Sequence, residues 1–376
     1  MRAVWLEGGR LEVREVPDPG PPRDDEVLLR ILEVGICGTD RELLHEGFEA
    51  PPGGAGLVPG HEALAQVVAC GPAAEWAQPG DLVVPMVRLP CPHARCGPCR
   101  AGRQDFCVTG DYAERGIVRA HGFLAERVVV PEGALVKVPP PLRGVAVLAE
   151  PLSIAEKTLE EARAVQERLP APGWTDDGPH GTGPWKPHRR AALVLGAGPV
   201  GLLAAMALSA RGFRTFVFSR EPPDGPRSRL VKAFGAEYLS AATLPLAGAR
   251  GRIEPFDLVF EATGAAQAAF DALPLLAPNG LFVLTGVPGR RGPVELPAAR
   301  LVRDLVLGNQ ALLGVVNAGR NHLSAAVRDL AHFLVTWPDA LAALVTGRLP
   351  LTRAAEALER GPGTVKQVVE VAAGGA

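Results

Sequence analysis

One glycine-rich hexapeptide constrains the fold of this chain more than any other segment. Residues 196–201 read Gly-Ala-Gly-Pro-Val-Gly; an apolar run precedes them and a helical stretch follows. At a strand-to-helix turn, this GxGxxG spacing lets a dinucleotide pyrophosphate approach the backbone and rest on the helix N-terminus. We therefore predict a nicotinamide dinucleotide site. Its turn residues are Gly196, Gly198, Pro199, Val200 and Gly201.

The segments after residue 190 alternate between strand and helix patterns. Apolar, β-branched runs at residues 192–195, 215–218, 257–260 and 281–284 are separated by stretches with helical composition. Such an order predicts a parallel sheet that is covered on both faces. Further helices are predicted at residues 153–168, 200–211, 322–335 and 350–359, the first with Ser153 as its N-cap.

The end of the second predicted strand decides which cofactor fits. An acidic side chain there would accept the ribose 2′-hydroxyl of NAD. This chain instead has Ser219 and Arg220, followed by Glu221. Because a guanidinium is suited to a 2′-phosphate, Ser219 and Arg220 favour NADP. Glu221 keeps the use of NAD open, and Arg227 and Arg229 are further candidates for the phosphate.

The first 140 residues differ from the rest. Short β-rich runs alternate with clusters of Pro and Gly, which predicts an all-β region shaped as a partly closed barrel. Residues 170–190 contain five prolines and four glycines and are predicted to form a long loop.

Composition excludes several classes of partner. The chain has 376 residues, which is long for one core, and a formal net charge of −2. No run of Lys and Arg stands out, so neither nucleic acid nor an anionic membrane is the expected partner. Residues 191–210 are uncharged and long enough to span a membrane, but their glycines interrupt the run. We expect a soluble, cytoplasmic protein.

A thiol, an imidazole and a carboxylate lie in two short motifs. Cys37 stands in Gly-Ile-Cys-Gly-Thr-Asp at residues 35–40, and His61 and Glu62 stand in Gly-His-Glu at residues 60–62. These three groups suit zinc, and three protein ligands leave a position open for chemistry. Together they indicate a catalytic metal.

The two motifs and the glycine-rich turn, in this order, resemble those of the medium-chain alcohol and polyol dehydrogenases. The resemblance implies an α/β protein with an N-terminal GroES-like β-barrel catalytic domain and a Rossmann domain with a doubly wound parallel sheet. The catalytic domain would comprise residues 1–155 and 304–376, and the NAD(P)-binding domain residues 156–303. By the same resemblance, Cys37 and His61 bind catalytic zinc, with Glu62 a nearby or alternating ligand. Thr39 relays the substrate proton and Asp40 orients His61.

Further segments resemble the archaeal-type glucose dehydrogenases. Glu150, before Pro151 and Leu152, matches a residue that approaches the zinc, either directly or through water. Glu114 and Asn317 match residues that hydrogen-bond sugar hydroxyls, and Glu150 is assigned to the same substrate site. Some relatives place an Asp where this chain has Ile154, so the preferred sugar stays open.

A second cluster of cysteines indicates a structural metal. Cys96, Cys99 and Cys107 follow the spacing of a closed tetrahedral zinc site. The resembling family has its first cysteine where this chain has His93, while a cysteine lies at position 91. Cys91 is the favoured fourth ligand, and His93 is the alternative. Cys70 is predicted to be a buried strand residue without a function.

The resulting prediction is a zinc-dependent aldose 1-dehydrogenase that converts D-glucose to the lactone with NADP. The protein is expected to assemble as a homodimer or homotetramer. The main alternative is a polyol or secondary alcohol dehydrogenase with the same zinc and cofactor, which would not need Glu114 and Asn317. A non-catalytic NADPH-binding sensor is a third alternative, and it would require loss of the catalytic zinc.

Overall fold

The chain divides into two units, and each contains a different main sheet. The computed structural model describes residues 1–169, 190–289, 292–359, 361 and 363–372. The first unit comprises Met1–Ser153 and Asn317–Ala376, and the second comprises Ile154–Val316. The domain boundaries expected from the sequence, 155/156 and 303/304, stay a prediction. Most of the loop predicted at residues 170–190 lies outside the described residues.

A mainly antiparallel sheet forms the centre of the first unit. Its strand order is β10-β5-β4-β3-β18-β17, and β9 also pairs with β3. The strands of this unit are β1 Arg2–Glu7, β2 Arg10–Glu15, β3 Glu26–Ile36, β4 Glu62–Cys70, β5 Leu82–Pro85, β6 Arg88–Leu89, β7 Ala113–Arg115, β8 Arg119–Ala120, β9 Arg127–Pro131, β10 Leu135–Lys137, β17 Val345–Pro350 and β18 Lys366–Glu370. Alternate residues of β3 and β4 pack into a core with Phe123 and Leu135.

The first unit also contains helices. They are α1 Gly38–Glu46, α2 Gly97–Arg100, α8 Arg320–Thr336, α9 Pro338–Ala342 and α10 Ala354–Ala357, while α3 Ala149–Gln166 begins in the first unit and continues in the second. A separate small sheet has the order β6-β7-β8.

The second unit contains a six-stranded parallel sheet. Its strands are β11 Ala191–Leu195, β12 Arg214–Ser219, β13 Glu237–Ser240, β14 Phe256–Glu261, β15 Leu276–Leu284 and β16 Ala311–Gly314, and its own helices are α4 Pro199–Ala210, α5 Pro226–Ala233, α6 Ala266–Ala272 and α7 Ala298–Leu307. The order β13-β12-β11-β14-β15-β16 is that of a doubly wound dinucleotide-binding sheet. The parallel sheet and the separate antiparallel sheet confirm the predicted fold class.

Two predicted helices begin or run differently in the structure. Helix α3 begins at Ala149, so Ser153 is not its N-cap; the Ser153 hydroxyl donates to the Glu150 carbonyl at 2.5 Å. Pro151 is accommodated because the first turn of a helix needs no N–H donor there. The helix predicted at residues 350–359 is also wrong at its start, where Pro350 ends β17 and only Ala354–Ala357 are α-helical.

The uncharged stretch at residues 191–210 is strand β11 followed by the turn and helix α4. Among the described residues, no helix has both the length and the apolar character that crossing a membrane requires.

Candidate active site

The register between β3 and β4 brings the first metal-ligand candidates together. Gly35 of β3 pairs with Glu62 of β4, so Cys37, two residues beyond Gly35, comes beside His61. One ligand atom from each of Cys37, His61 and Glu62 lies within 4.8 Å of the others. Gly35 is required here, because a Cβ at this position would lie 2.3 Å from the Glu62 carboxylate.

Asp40 connects the two motifs. Its carboxylate accepts hydrogen bonds from the Cys37 N–H at 2.8 Å and the Gly60 N–H at 3.1 Å. The same carboxylate lies 3.4 Å from Nδ1 of His61, a contact that is electrostatic rather than a well-aligned hydrogen bond. Burial lowers the pKa of His61, but Asp40 and the Cys37 thiol raise it well above its ordinary value. A cation bound at this group would replace that proton.

Lys366 is a site residue that the sequence did not reveal. It lies on β18, is 1% exposed, and donates from Nζ to both oxygens of Glu62, at 2.7 Å to Oε1, and to the Ile36 carbonyl at 3.2 Å. Burial lowers the pKa of Lys366, yet the Glu62 carboxylate raises it above the ordinary value. Glu62 is therefore held by a buried ammonium group, which also contacts the backbone next to Cys37.

Glu150 and Asn317 line one small cavity of the first unit, together with Ser153 and Leu323. Burial raises the pKa of Glu150 to about 7, while the nearby His61 lowers it. Glu150 is not one of the three residues whose ligand atoms cluster, but its charge interacts with theirs. The Thr39 hydroxyl lies 4.0 Å from the Cys37 sulfur.

The two predicted sugar-binding residues contact each other. Asn317 donates from Nδ2 to Oε1 of Glu114 at 2.7 Å, and its own oxygen accepts from the Ala318 N–H at 2.8 Å. Arg88 donates from Nε to the same Glu114 oxygen at 2.9 Å. A carboxylate and an amide thus meet as a sugar site requires, and Arg88 is a partner that the sequence did not predict.

Four cysteines form the second group. The sulfur atoms of Cys91, Cys96, Cys99 and Cys107 all lie within 4.8 Å of one another. A hydrogen bond from the Thr109 hydroxyl lowers the pKa of Cys107 to about 6, whereas burial raises the pKa of Cys99 to about 12. Since metals bind thiolates, a cation would be needed to ionise the whole set near neutral pH.

His93 lies outside this group. Its Nε2 is 2.9 Å from the Asp111 carboxylate, which Arg119 also contacts at 2.5 Å. The structure therefore brings Cys91, and not His93, to the three other cysteines.

The glycines of the nucleotide turn have separate roles. Gly196 has φ +108°, and a Cβ on Gly201 would lie 2.0 Å from the Gly196 carbonyl oxygen. Gly198 instead precedes α4 with open space where its Cβ would be. A turn that is closed on its inner side and open at the helix N-terminus leaves room for a pyrophosphate.

At the end of β12, the charged side chains are already arranged. Arg220 is exposed, while Glu221 forms an ion pair with Arg227 at 2.8 Å. The Glu221 carbonyl accepts hydrogen bonds from the hydroxyls of Tyr238 and Ser240. The acid that could bind an NAD ribose is thus partly neutralised, and Arg220 stays open to a phosphate.

Two protein-family models together match most of the chain. The Alcohol dehydrogenase GroES-like domain model matches residues 23–140, and the Glucose dehydrogenase C-terminus model matches residues 143–371. Glucose 1-dehydrogenase of Methanocella arvoryzae is 37% identical, covering 99% of this chain and 100% of its own. Glucose 1-dehydrogenase of Thermoproteus tenax is 39% identical, covering 99% of both chains.

The solved structures include a similar enzyme with ligands. Haloferax mediterranei glucose dehydrogenase in complex with NADP, Zn and gluconolactone has a TM-score of 0.87 and 33% identity, covering 99% of this chain and 100% of that one.

Proposed function

The chain belongs to the glucose dehydrogenases of the medium-chain dehydrogenase family, and on that premise we propose that it oxidises the C1 hydroxyl of an aldose, D-glucose above all, to the lactone with NADP. One observation carries the proposal: polar groups are continuous from the metal-ligand candidates to a sugar-binding pair. Glu150 interacts with His61 and lines a cavity with Asn317, which in turn contacts Glu114.

The donor set at the first group fits a zinc ion. A thiol, an imidazole and a carboxylate come within 4.8 Å in a buried setting, which is the ligand chemistry that zinc prefers. We propose that Cys37 and His61 hold this ion with Glu150, directly or through water, and that Glu62 is an alternating ligand. When bound, zinc would supply the Lewis acidity that makes a hydroxyl more acidic.

The chain's own side chains account for the remaining steps. Asp40 accepts from the Cys37 and Gly60 N–H groups, so its position beside His61 is fixed by the backbone. Thr39, whose hydroxyl lies 4.0 Å from the Cys37 sulfur, would pass the proton of the substrate hydroxyl outward. Glu114 and Asn317 orient the sugar ring because they offer an acceptor and a donor for its hydroxyls.

The second unit holds the cofactor in this proposal. Gly198 and the first N–H groups of α4 would hold the pyrophosphate, and Ser219 and Arg220 would bind the 2′-phosphate. NADP, when bound, would accept the hydride. Because Arg227 neutralises Glu221 only in part, NAD is expected to serve as a poorer cofactor.

We also propose a structural zinc bound by Cys91, Cys96, Cys99 and Cys107, because four thiolates leave no position open for chemistry. Cytoplasmic location and assembly as a homodimer or homotetramer are further proposals, which follow the sequence-based expectation.

Steady-state kinetics on glucose, galactose, xylose, sorbitol and a secondary alcohol, each with NADP and NAD, tests the function. The Cys37→Ala variant is the control. Aldose oxidation that is lost in the variant supports the proposal. Activity on sorbitol or the simple alcohol alone would favour the polyol dehydrogenase, and NADPH binding with no turnover on any substrate would favour the sensor.

A further inference from the structure

Arg88 is a buried cation to which neither the metal site nor the cofactor site gives a role. It is 5% exposed, and strand β6 places it directly opposite Glu114 of β7. Its guanidinium carbon lies 3.8 Å above the ring of Tyr112, and Nη1 donates to the Asp105 carbonyl at 3.4 Å. Stacking and a cross-strand position together fix the plane of this guanidinium.

Arg88 concentrates its donors on one oxygen of Glu114. Nε donates to Oε1 at 2.9 Å, and Nη2 lies 2.9 Å from the same atom. Asn317 donates to Oε1 as well, at 2.7 Å. Within the part of the chain that the structure describes, the other oxygen, Oε2, makes no hydrogen bond. The carboxylate is therefore anchored by one oxygen, and its second oxygen is left as an unused acceptor.

We propose that Arg88 is a positioning residue for sugar recognition: it fixes the position of the Glu114 carboxylate and leaves Oε2 to accept one hydroxyl of the substrate. The inference rests on the proposed function, since it assigns the sugar to Glu114. Charge-assisted hydrogen bonds are stronger and more directional than neutral ones, so a fixed carboxylate is a better acceptor than a mobile one.

The geometry also fixes the orientation of Asn317. If its amide were flipped, the amide oxygen would face the Glu114 carboxylate and the NH₂ group would face the Ala318 N–H. Arg88 and Asn317 thus hold Glu114 from β6 and from a segment more than 200 residues away in the sequence. Without the guanidinium, the half-enclosed carboxylate would lose its charge partner, and the free oxygen would no longer have a defined direction.

The test compares glucose with its 2-, 3-, 4- and 6-deoxy analogues in wild type, Arg88→Met and Arg88→Lys. In wild type, the analogue that lacks the recognised hydroxyl should lose about 10- to 150-fold in kcat/KM, the effect of one hydrogen bond to a charged group. In Arg88→Met, kcat/KM for glucose should fall towards that analogue's value, mainly through KM, while the analogue itself changes little. Arg88→Lys, with a single-point donor, should give an intermediate ratio.

Arg115→Met is the matched control. Arg115 is another enclosed arginine of this unit; it donates to the Val129 carbonyl at 3.2 Å, and among the described residues no hydrogen bond or ion pair joins its guanidinium to Glu114. Its loss should lower thermal stability and leave the ratio between glucose and the deoxy analogue unchanged.

Three outcomes distinguish failure of the proposed role of Arg88 from failure of the proposed function. If wild type discriminates against a deoxy analogue and Arg88→Met keeps that ratio, the positioning role is wrong. If Arg88→Met does not fold, a wild-type ratio in Arg88→Lys overturns it equally. If wild type does not oxidise any aldose, the proposed function fails first, and the inference fails with it.

Discussion

Glu62, the proposed alternating zinc ligand, is buried against Lys366 in the first unit. Both oxygens of Glu62 accept from Lys366, and neither residue has appreciable contact with solvent. Pairing of this kind costs desolvation on both sides, so its contribution is seen mainly when one partner is removed.

Replacing Lys366 by Met is expected to lower the free energy of unfolding by about 3–5 kcal/mol, because Glu62 is left as a buried charge without its partner. The double variant Lys366→Met/Glu62→Gln should recover much of this loss. Urea denaturation of the zinc-loaded proteins measures both. A single variant as stable as wild type would show that the pair does not hold Glu62.

Cofactor choice is also decided by single residues. Arg220→Ala should lower the NADP-to-NAD ratio of kcat/KM by at least about tenfold, since a charge-assisted bond to the 2′-phosphate is lost. Arg227→Ala should raise kcat/KM for NAD, because Glu221 is released from its ion pair to accept a ribose hydroxyl. Arg214→Ala, at the opposite end of β12, is the control. An unchanged ratio in Arg220→Ala would contradict the NADP assignment.

The sequence identified those site residues that stand in motifs, and it missed those that do not. Cys37, His61 and Glu62 were predicted because their spacing is characteristic, and the structure brings them together. Lys366 and Arg88 carry no local signal: each lies on a short strand, and its partner is 304 or 26 residues away in the sequence. Only the pairing of β18 with β3, and of β6 with β7, reveals them.

In the nucleotide turn, one glycine is needed for folding and another for cofactor binding. Gly201→Ala should disrupt the turn, because its Cβ would lie 2.0 Å from the Gly196 carbonyl; both thermal stability and NADPH affinity should fall. Gly198→Ala has open space for its Cβ, so stability should be kept while NADPH affinity falls. Fluorescence titration and thermal unfolding measure the two effects. Wild-type NADPH affinity in Gly198→Ala would place the pyrophosphate elsewhere.

The loop that carries α2 tests the structural zinc. Zinc content should fall from about two to about one ion per chain in Cys107→Ser and in Cys91→Ser, since a closed site needs all four ligands. His93→Ala should keep both ions, because His93 pairs with Asp111. Elemental analysis of the purified variants decides between Cys91 and His93. Loss of zinc in His93→Ala with retention in Cys91→Ser would reverse the assignment.

Strands with a clear apolar run in the sequence were predicted well. Elements whose position depends on pairing with another strand were not. Strands β11, β12 and β14 are apolar runs bounded by turns, and the structure has them within a residue or so of the expected positions. Strands β16 and β18 were missed, because each contains at most three consecutive apolar residues. Pro350 ends a strand instead of opening a helix, since its neighbours pair with β18.

In the whole molecule, the two units carry residues for separate parts of the proposed reaction. The first unit carries the proposed metal ligands, the proposed sugar-binding pair and the cysteine cluster, and the second carries the nucleotide turn and the end of β12. In the proposed reaction, hydride passes from the sugar to the nicotinamide, and this step connects the two sets of residues.

Glucose deuterated at C1 tests this hydride transfer most directly. The zinc-loaded protein is incubated with NADP and the labelled sugar, and the reduced cofactor and sugar product are analysed by mass spectrometry, with Cys37→Ser as the inactive control. If hydride leaves C1, the deuterium should appear in NADPH and be absent from the lactone. Unlabelled NADPH formed alongside a product that keeps the C1 deuterium would show that another position is oxidised, and would contradict hydride transfer from C1.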